Sequence, residues 1–324
     1  MKLHINIFII FILTFFLFNC GEEVNQSHLS VGFWNTENLF DLIDDPEKRD
    51  EEFAAGGKKN VTKEIYELKV KNCSEVLRDL NVDVLGLCEV ENKAVLNDLN
   101  NAYKEKNYKI IHYDSPDERG IDNALLYDPK KFNLISSKPL VNNLIGKNKT
   151  REILYVKGKF NNNTLHIFVN HWSSNYGGRE KSILKRNSTA KLLINEIKKI
   201  KKAESQTNPI LLGDFNEDPD DENVALLNSV GLTSLMLDMI GKKDVGTYRY
   251  RGMNYLYDQI IVSEEIIDQK GITIADSSVY ILDLPKYRQQ EGKYNMYPFR
   301  FWAGDRLLGG YSDHLAIKVD LVLN

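Results

Sequence analysis

The 324-residue chain predicts an α+β domain with its sheets inside and its helices outside. Three observations carry that expectation. Short apolar runs of strand character end abruptly in polar or charged residues. Helical patterns fall between strands in the middle of the chain, whereas strands adjoin strands elsewhere. No internal repeat or low-complexity linker divides residues 29–324, which therefore read as one domain. Hydrophobic residues make up 42% of the chain and charged residues 27%, a balance that excludes a largely disordered polypeptide.

The elements follow in order. Leu29 to Trp34 alternates like a strand. Asp41 to Gly57 is a polar loop, with seven acidic residues between Asp41 and Glu52. Thr62 is placed to cap a helix reaching about Leu80. Asp83 to Cys88 is a short apolar strand, followed by a helix near Lys93–Lys106. Strands are expected near Tyr108–His112, Ala124–Tyr127, Ile153–Phe160 and Thr164–His171. Gly178 to Lys202 reads as a long amphipathic helix, with Ile183, Leu184, Ala190, Leu193, Ile194 and Ile197 on one side. Pro209 to Gly213 is a short buried strand, and Tyr255–Val262 and Leu315–Val322 are late strands.

The N-terminus reads as a targeting segment. Lys2 supplies a small positive region, and Ile5 to Phe18 is apolar except for Asn6 and Thr14. That run is short for the roughly 20 residues of a spanning helix. Cys20 follows at once, and residues 1–20 resemble a bacterial lipoprotein signal in which the cysteine carries the lipid. Asn19 and Phe18 depart from the small residue usual before that cysteine, and an uncleaved anchor is the other reading. Residues 21–28 are a polar tether. The protein is thus expected outside the cytoplasm as a membrane-anchored lipoprotein, at the cell surface or in the periplasm. Cys73 and Cys88 then remain, and both fall in patterns that suit buried thiols. Three cysteines are too few for a disulfide scaffold.

Several strand ends carry residues suited to chemistry. Gly213-Asp214-Phe215-Asn216 directly follows an apolar strand, where a rigid element aims side chains into a cleft. Asp214 could accept a proton or fix a water, and Asn216 could donate to a phosphate oxygen. An Asx-type turn capping the next helix accounts for the same tetrapeptide. Glu89 and Asn35 stand likewise at strand ends, and a carboxylate with a carbonyl oxygen suits Mg²⁺ or Mn²⁺. His171 ends a strand, and Asp313-His314 precedes the last one. Asp258 could orient His314 through its ring N–H.

The order Asn35, Glu89, His171, Asp214-x-Asn216, Asp258, Asp313-His314 resembles the endonuclease/exonuclease/phosphatase superfamily, which includes DNase I-like nucleases. The resemblance covers about residues 29–322. Trp34-Asn-Thr-Glu-Asn-Leu-Phe40 is similar to its first metal motif. Leu87-Cys-Glu-Val-Glu-Asn92 is similar to its second, with Cys88 where glutamine is more usual. Arg119-Gly-Ile-Asp-Asn-Ala-Leu-Leu-Tyr127, Asn170 to Gly178 and Gly309 to Leu315 resemble a branch of extracellular bacterial nucleases. The resemblance implies a four-layer α/β sandwich of two mostly antiparallel sheets with outer helices. It also implies roles. Glu89 and Asn35, with Asp313, hold Mg²⁺ or Mn²⁺. Asp214 positions or deprotonates the attacking water. Asn216 and His171 bind phosphate oxygens. His314, oriented by Asp258, stabilises the charge developing on phosphorus.

The superfamily hosts several phosphate esters, so fold leaves the substrate open. Lys+Arg is 42 and Asp+Glu is 46, a net charge of −4, so a polyanion needs a local basic patch. Lys286 to Arg306 supplies one, with five cations interleaved with aromatics and running into the Asp313-His314 motif. Arg300, Trp302 and the more distant Arg119 are the candidate substrate contacts. The mix suits a phosphate backbone with stacked bases, a lipid headgroup, or a packed loop whose aromatics cover the sheet. The acidic stretch Asp41–Glu52 could bind Ca²⁺ but lacks the spacing of a calcium loop. The leading expectation is a metal-dependent nuclease acting as a monomer on nucleic acid. A phosphomonoesterase or lipid phosphodiesterase is the second, and a non-catalytic surface lipoprotein the third.

Overall fold

The computed structural model describes residues 27–142, 150–267 and 271–323. The expectations for the signal segment, for Cys20 and for nearly all of the tether lie outside the described residues. Among the described residues, no helix is long and apolar enough to cross a membrane.

In chain order the chain builds β1 (His28–Leu39), α1 (Lys63–Leu80), β2 (Val84–Val90), α2 (Lys93–Tyr103), β3 (Lys109–His112), β4 (Asp122–Tyr127) and β5 (Asn133–Leu140). There follow β6 (Ile153–Phe160), β7 (Asn163–His171), α3 (Arg179–Ala203), β8 (Pro209–Asp214), β9 (Leu232–Ser234), β10 (Tyr248–Tyr250), β11 (Met253–Tyr255) and β12 (Asp258–Ser263). The last strands are β13 (Ile272–Ile274), β14 (Tyr280–Ile281), β15 (Trp302–Ala303), β16 (Arg306–Leu307) and β17 (Ile317–Leu323). One sheet runs β13-β17-β1-β2-β4-β3, with β14 also on β17; the other runs β5-β6-β7-β8-β12-β9. Each is antiparallel except for one pair, β1–β2 in the first and β7–β8 in the second.

Strand alternation then makes four layers. Inward positions such as Phe33, Val84, Leu125, Val169, Leu212 and Ile260 form one core between the sheets. The outward positions Leu85, Leu87 and Leu126 pack on Val76, Leu77, Leu96 and Leu99 of α1 and α2. On the far side Phe168, Leu211 and Ile261 pack on Leu193 and Ile197 of α3. This is the α+β sandwich that the sequence led one to expect. Cys73 and Cys88 are buried free thiols.

Local departures have physical causes. Thr62 caps α1 by accepting from Ile65 N, but α2 stops at Tyr103 because Lys104 turns left-handed. The expected strand Tyr255–Val262 is two strands. They separate where Asp218 Oδ1 takes Leu256 N–H and Tyr257 O takes Phe215 N–H. Leu184 does not join the apolar face of α3, being 60% exposed. The first turns of that helix are anchored by Arg186, whose Nε lies 2.7 Å from Glu217 Oε1 in full burial.

Candidate active site

The inward-facing positions of adjacent strands change from apolar to polar together at one rim. In the second sheet, β8 lies between β7 and β12, and the register sets His171 and Asp258 on either side of Asp214. Each continues the inward alternation of its strand, after Val169, Leu212 and before Ile260. In the first sheet Asn35 and Cys88 are register partners on β1 and β2. The two rims meet where Asn35 Nδ2 donates to Asp214 Oδ2 at 3.2 Å.

Glu89 follows an inward residue and by alternation would point towards the helices. A register irregularity at Cys88/Val90 and a φ of +58° rotate it back into the site. Asn216 adopts φ +51° beside the same cleft. Left-handed backbone in non-glycine residues costs on the order of 1–3 kcal/mol, and such strain concentrates at functional sites. Glu89 Oε2 accepts from Asn38 N at 3.1 Å, while Oε1 faces His171 Nε2 at 3.7 Å. The second histidine, His314, places Nδ1 2.7 Å from Asp258 Oδ2 and Nε2 3.8 Å from Asp214 Oδ2. Its backbone is fixed too: Trp34 Nε1 donates to His314 O, and Ser312 Oγ links His314 N to Asn35 O.

The two histidines are electrostatically opposite. Burial, reinforced by Arg151 and Arg119, holds His171 well below the usual range, so it is a neutral donor. Burial opposes charge on His314 as well, but Asp258 and Asp214 override it and hold that ring well above the usual range. Burial pushes the Asp214 carboxyl up to about 7, against the pull of the His314 imidazolium. That is where a general base at neutral pH is effective.

The donor set fits a hard divalent cation. The part-buried Glu89 and the buried Asp214 both face His171 Nε2, at 3.7 and 3.8 Å, and Asp258 beside Asp214 has a buried Oδ1 with no hydrogen-bond partner. Side-chain atoms of Asp214, Asp258 and His314 also stand within 4.8 Å of one another, but a charged His314 ring has no lone pair for a cation, so it serves there as a donor. Asn35, expected as a ligand, donates its Nδ2 to Asp214 Oδ2. Its Oδ1 accepts Glu37 N–H at 3.0 Å, which leaves one lone pair for a cation. Asp313, also expected as a ligand, is held by Arg300 at 2.9 Å. Asn216 Nδ2 donates to Trp172 O at 3.1 Å and keeps one hydrogen for a substrate oxygen.

The basic segment behaves differently from the expectation. Trp302 is 6% exposed and packs with Phe40, Phe53, Ile121 and Phe301, so it is a core residue and cannot stack on a base. The cause is Glu37. Its buried carboxylate accepts the N–H groups of Phe301 and Trp302 at 2.6 and 3.1 Å and drags both rings inward. Arg300 spends its charge on Glu37 and Asp313. Lys286 pairs with Glu75 and Asp79 on α1, and Arg288 is buried against Asp283. Arg119 stays half-exposed beside Asp117, which also binds the buried Arg151. Arg151, Glu37 and Lys69 were not singled out from the sequence. Lys69 ties α1 to the site by donating to Thr36 O and Tyr311 O. Gly310 permits the close approach there, since a Cβ would stand 2.1 Å from Phe299 O.

The fold is shared with solved proteins. D. rerio TDP2 humanised by 14 mutations is 17% identical, with a TM-score of 0.59 over 91% of this chain and 99% of that one. D. rerio TDP2 complexed with a single-strand DNA product is 15% identical, with a TM-score of 0.58 over the same shares. A mannosyl-6-phosphatase from Bacteroides thetaiotaomicron is 16% identical, with a TM-score of 0.56 over 91% and 99%. No curated protein sequence matches the chain. The family model described as the endonuclease/exonuclease/phosphatase family matches residues 30–322. The chain belongs to that family, whose members are phosphoric ester hydrolases.

Proposed function

We propose that this protein is a Mg²⁺- or Mn²⁺-dependent phosphodiesterase that cleaves nucleic acid outside the cytoplasm, anchored to a membrane through a lipid on Cys20. The observation that carries the hydrolytic reading is the His171–Asp214–Asp258 row facing Glu89 across the sheet interface, with His314 closing it. Glu89, with the free lone pair of Asn35, would hold the cation, which supplies Lewis-acid chemistry at a phosphoryl oxygen. Asp214, oriented by Asn35, takes the proton of the attacking water. Neutral His171 donates from Nε2 to a non-bridging oxygen, and the remaining amide hydrogen of Asn216 does the same. His314, held charged by Asp258, faces the charge that develops on phosphorus.

Nucleic acid is favoured over other esters by the cations of the cleft that opens at Asp313 and by the DNA product in one TDP2 structure. The mannosyl-6-phosphatase of the same fold makes a phosphomonoester the reading to exclude. Purified protein is to be offered DNA, RNA, a sugar phosphate, phosphoinositides and sphingomyelin, with and without Mg²⁺. Cleavage of a polynucleotide that requires the metal supports the proposal. Turnover of only a monoester or a lipid overturns it.

A further inference from the structure

The β10–β11 hairpin and the segment 289–308 enclose a cleft of about 740 Å³ that opens beside Asp313. Its inner end, lined by Tyr248 and Asp313, adjoins the active site at His314. Tyr248 at its base stacks on the His314 ring at 4.7 Å and forms a backbone bridge to the same residue. Tyr297 joins the two walls, its hydroxyl accepting Gly252 N–H at 2.7 Å and its ring carrying the Arg249 guanidinium at 5.1 Å.

The cleft gathers cations that are not neutralised, apart from Arg300, which is paired with Glu37 and Asp313. Arg249, Arg251, Lys293 and Arg306 line it, and among the described residues none has a carboxylate within 4 Å. The arginines outside the cleft, Arg49, Arg78, Arg119, Arg151, Arg179, Arg186 and Arg288, are all paired with acids. Arg249 Nε is also buried with no hydrogen-bond partner, a cost of on the order of 1–3 kcal/mol that an incoming acceptor would relieve. Tyr250 and Tyr294 stand at the mouth, 50% and 49% exposed, with Arg251 and Lys293 against their faces. Four unneutralised cations with two open rings, in a chain of net charge −4, describe a receptor for an anion that carries a planar group.

We infer that this cleft binds the nucleotide flanking the scissile phosphate, its phosphate on Arg249 and Arg251 and its base on the ring of Tyr250 or Tyr294. The inference rests on the phosphodiesterase reading above and adds to it the surface that selects a polynucleotide over a small ester. The stacking role expected of Trp302 passes to Tyr250 on the hairpin and to Tyr294 of the same segment as Trp302.

The test is Arg249→Gln/Arg251→Gln in the full protein. Lys242→Ala/Lys243→Ala, two exposed lysines outside the cleft, controls for the change in net charge. Two readouts separate the subsite from the chemistry. One is the ratio of kcat/KM on a hexanucleotide to kcat/KM on bis(p-nitrophenyl) phosphate. The other is binding of a fluorescent hexanucleotide in chelator, measured against salt. The arginine variant is expected to lower the ratio and the affinity at least tenfold. It should also flatten the log–log salt slope by about 0.7 for each single-strand phosphate that is no longer neutralised. The lysine variant should do neither. Equal effects of both variants, or no effect of the arginine variant, overturn the subsite. Binding of phosphoinositide vesicles but not of the hexanucleotide also overturns it, while leaving the hydrolase intact. Arginine-dependent oligonucleotide binding without hydrolysis of either ester would leave the subsite standing and remove the phosphodiesterase reading.

Discussion

Asn35 and Asp214 lie 179 residues apart and meet across the sheet interface, amide nitrogen to carboxylate oxygen at 3.2 Å. The contact joins the two halves of the site, because Asn35 sits on β1 of the first sheet and Asp214 on β8 of the second. In the proposed mechanism Asn35→Ala removes the group that orients the base and one of two cation contacts, so the variant is assayed at saturating Mg²⁺, where Glu89 still holds the cation. A positioning residue of this kind is worth about 10–100-fold. kcat is expected to fall by that factor with KM nearly constant, in steady-state assays on a phosphodiester. A change confined to KM would place Asn35 in substrate binding instead.

Metal dependence follows from the placement of Glu89. Activity should disappear in EDTA and return with Mg²⁺ or Mn²⁺. Glu89→Gln keeps an acceptor for Asn38 N–H while removing the charge, so the fold should survive. Loss of several kcal/mol of transition-state stabilisation corresponds to about 10³-fold or more in kcat. Full activity in chelator, or in the variant, would reject the assignment.

Trp302 makes a prediction opposite in kind to the one its sequence context suggests. Trp302→Ala opens a cavity beside Phe40, Phe53 and Phe301 and should cost about 3–5 kcal/mol of stability. Thermal unfolding should drop, and kcat/KM on a hexanucleotide and on a small diester should change together. Selective loss on the hexanucleotide alone, with stability intact, would restore Trp302 to the substrate.

A pH signature comes from Asp218, whose Oδ1 accepts Leu256 N–H at the separation of β11 and β12. Burial first, then Asp221 and Asp220, push its carboxyl up to about 6, against the Leu256 N–H bond and Arg179. The folded-state value lies above the unfolded one, so the stability from this group is full below about pH 4 and is lost as pH rises through 6. Asp218→Asn keeps the acceptor and does not titrate. Its melting temperature should match the parent near pH 4 and exceed it increasingly between pH 4 and 7. A difference that does not vary with pH would mean that the charge is not the cause.

The N-terminal proposal is checked in cells. Cys20→Ser removes the thiol that would carry the lipid, and the protein should leave the membrane fraction. Retention in the membrane by residues 5–18 would make that segment an uncleaved anchor.

Much of the site was legible because its residues terminate apolar runs. Asp214, His171 and Asn35 end the runs that hold Leu212, Val169 and Phe33, and the fold keeps such strand ends at one rim. What the sequence hid was pairing. Glu37 reads as one more acid in a polar motif, yet burial, with Asp313 nearby, pushes it up to about 7 as it caps the backbone of 301–302. The cations of 286–306 read as one patch, yet three are neutralised by acids distant in sequence or in an adjoining turn. Arg249 and Arg251 were overlooked because a short hairpin of Tyr and Arg carries no periodic signal. β5 was missed because most of its positions are exposed and it contains Pro139, as edge strands do.

The last prediction separates two roles for Asp258. Its Oδ2 is 2.7 Å from His314 Nδ1, and its buried Oδ1 has no hydrogen-bond partner. If Asp258 acts by holding His314 charged and oriented, its effect passes through that ring. Asp258→Asn should then lower kcat about as severely as His314→Ala, and the double variant should be no worse than His314→Ala alone. Groups that act as a unit are strongly non-additive, whereas independent ones multiply. The cycle is to be measured at saturating Mg²⁺, so that weaker metal binding does not enter. Multiplicative losses, or a lowered apparent affinity for Mg²⁺ in Asp258→Asn alone, would make Asp258 a cation ligand in its own right and leave His314 to be oriented by Tyr248 and its backbone.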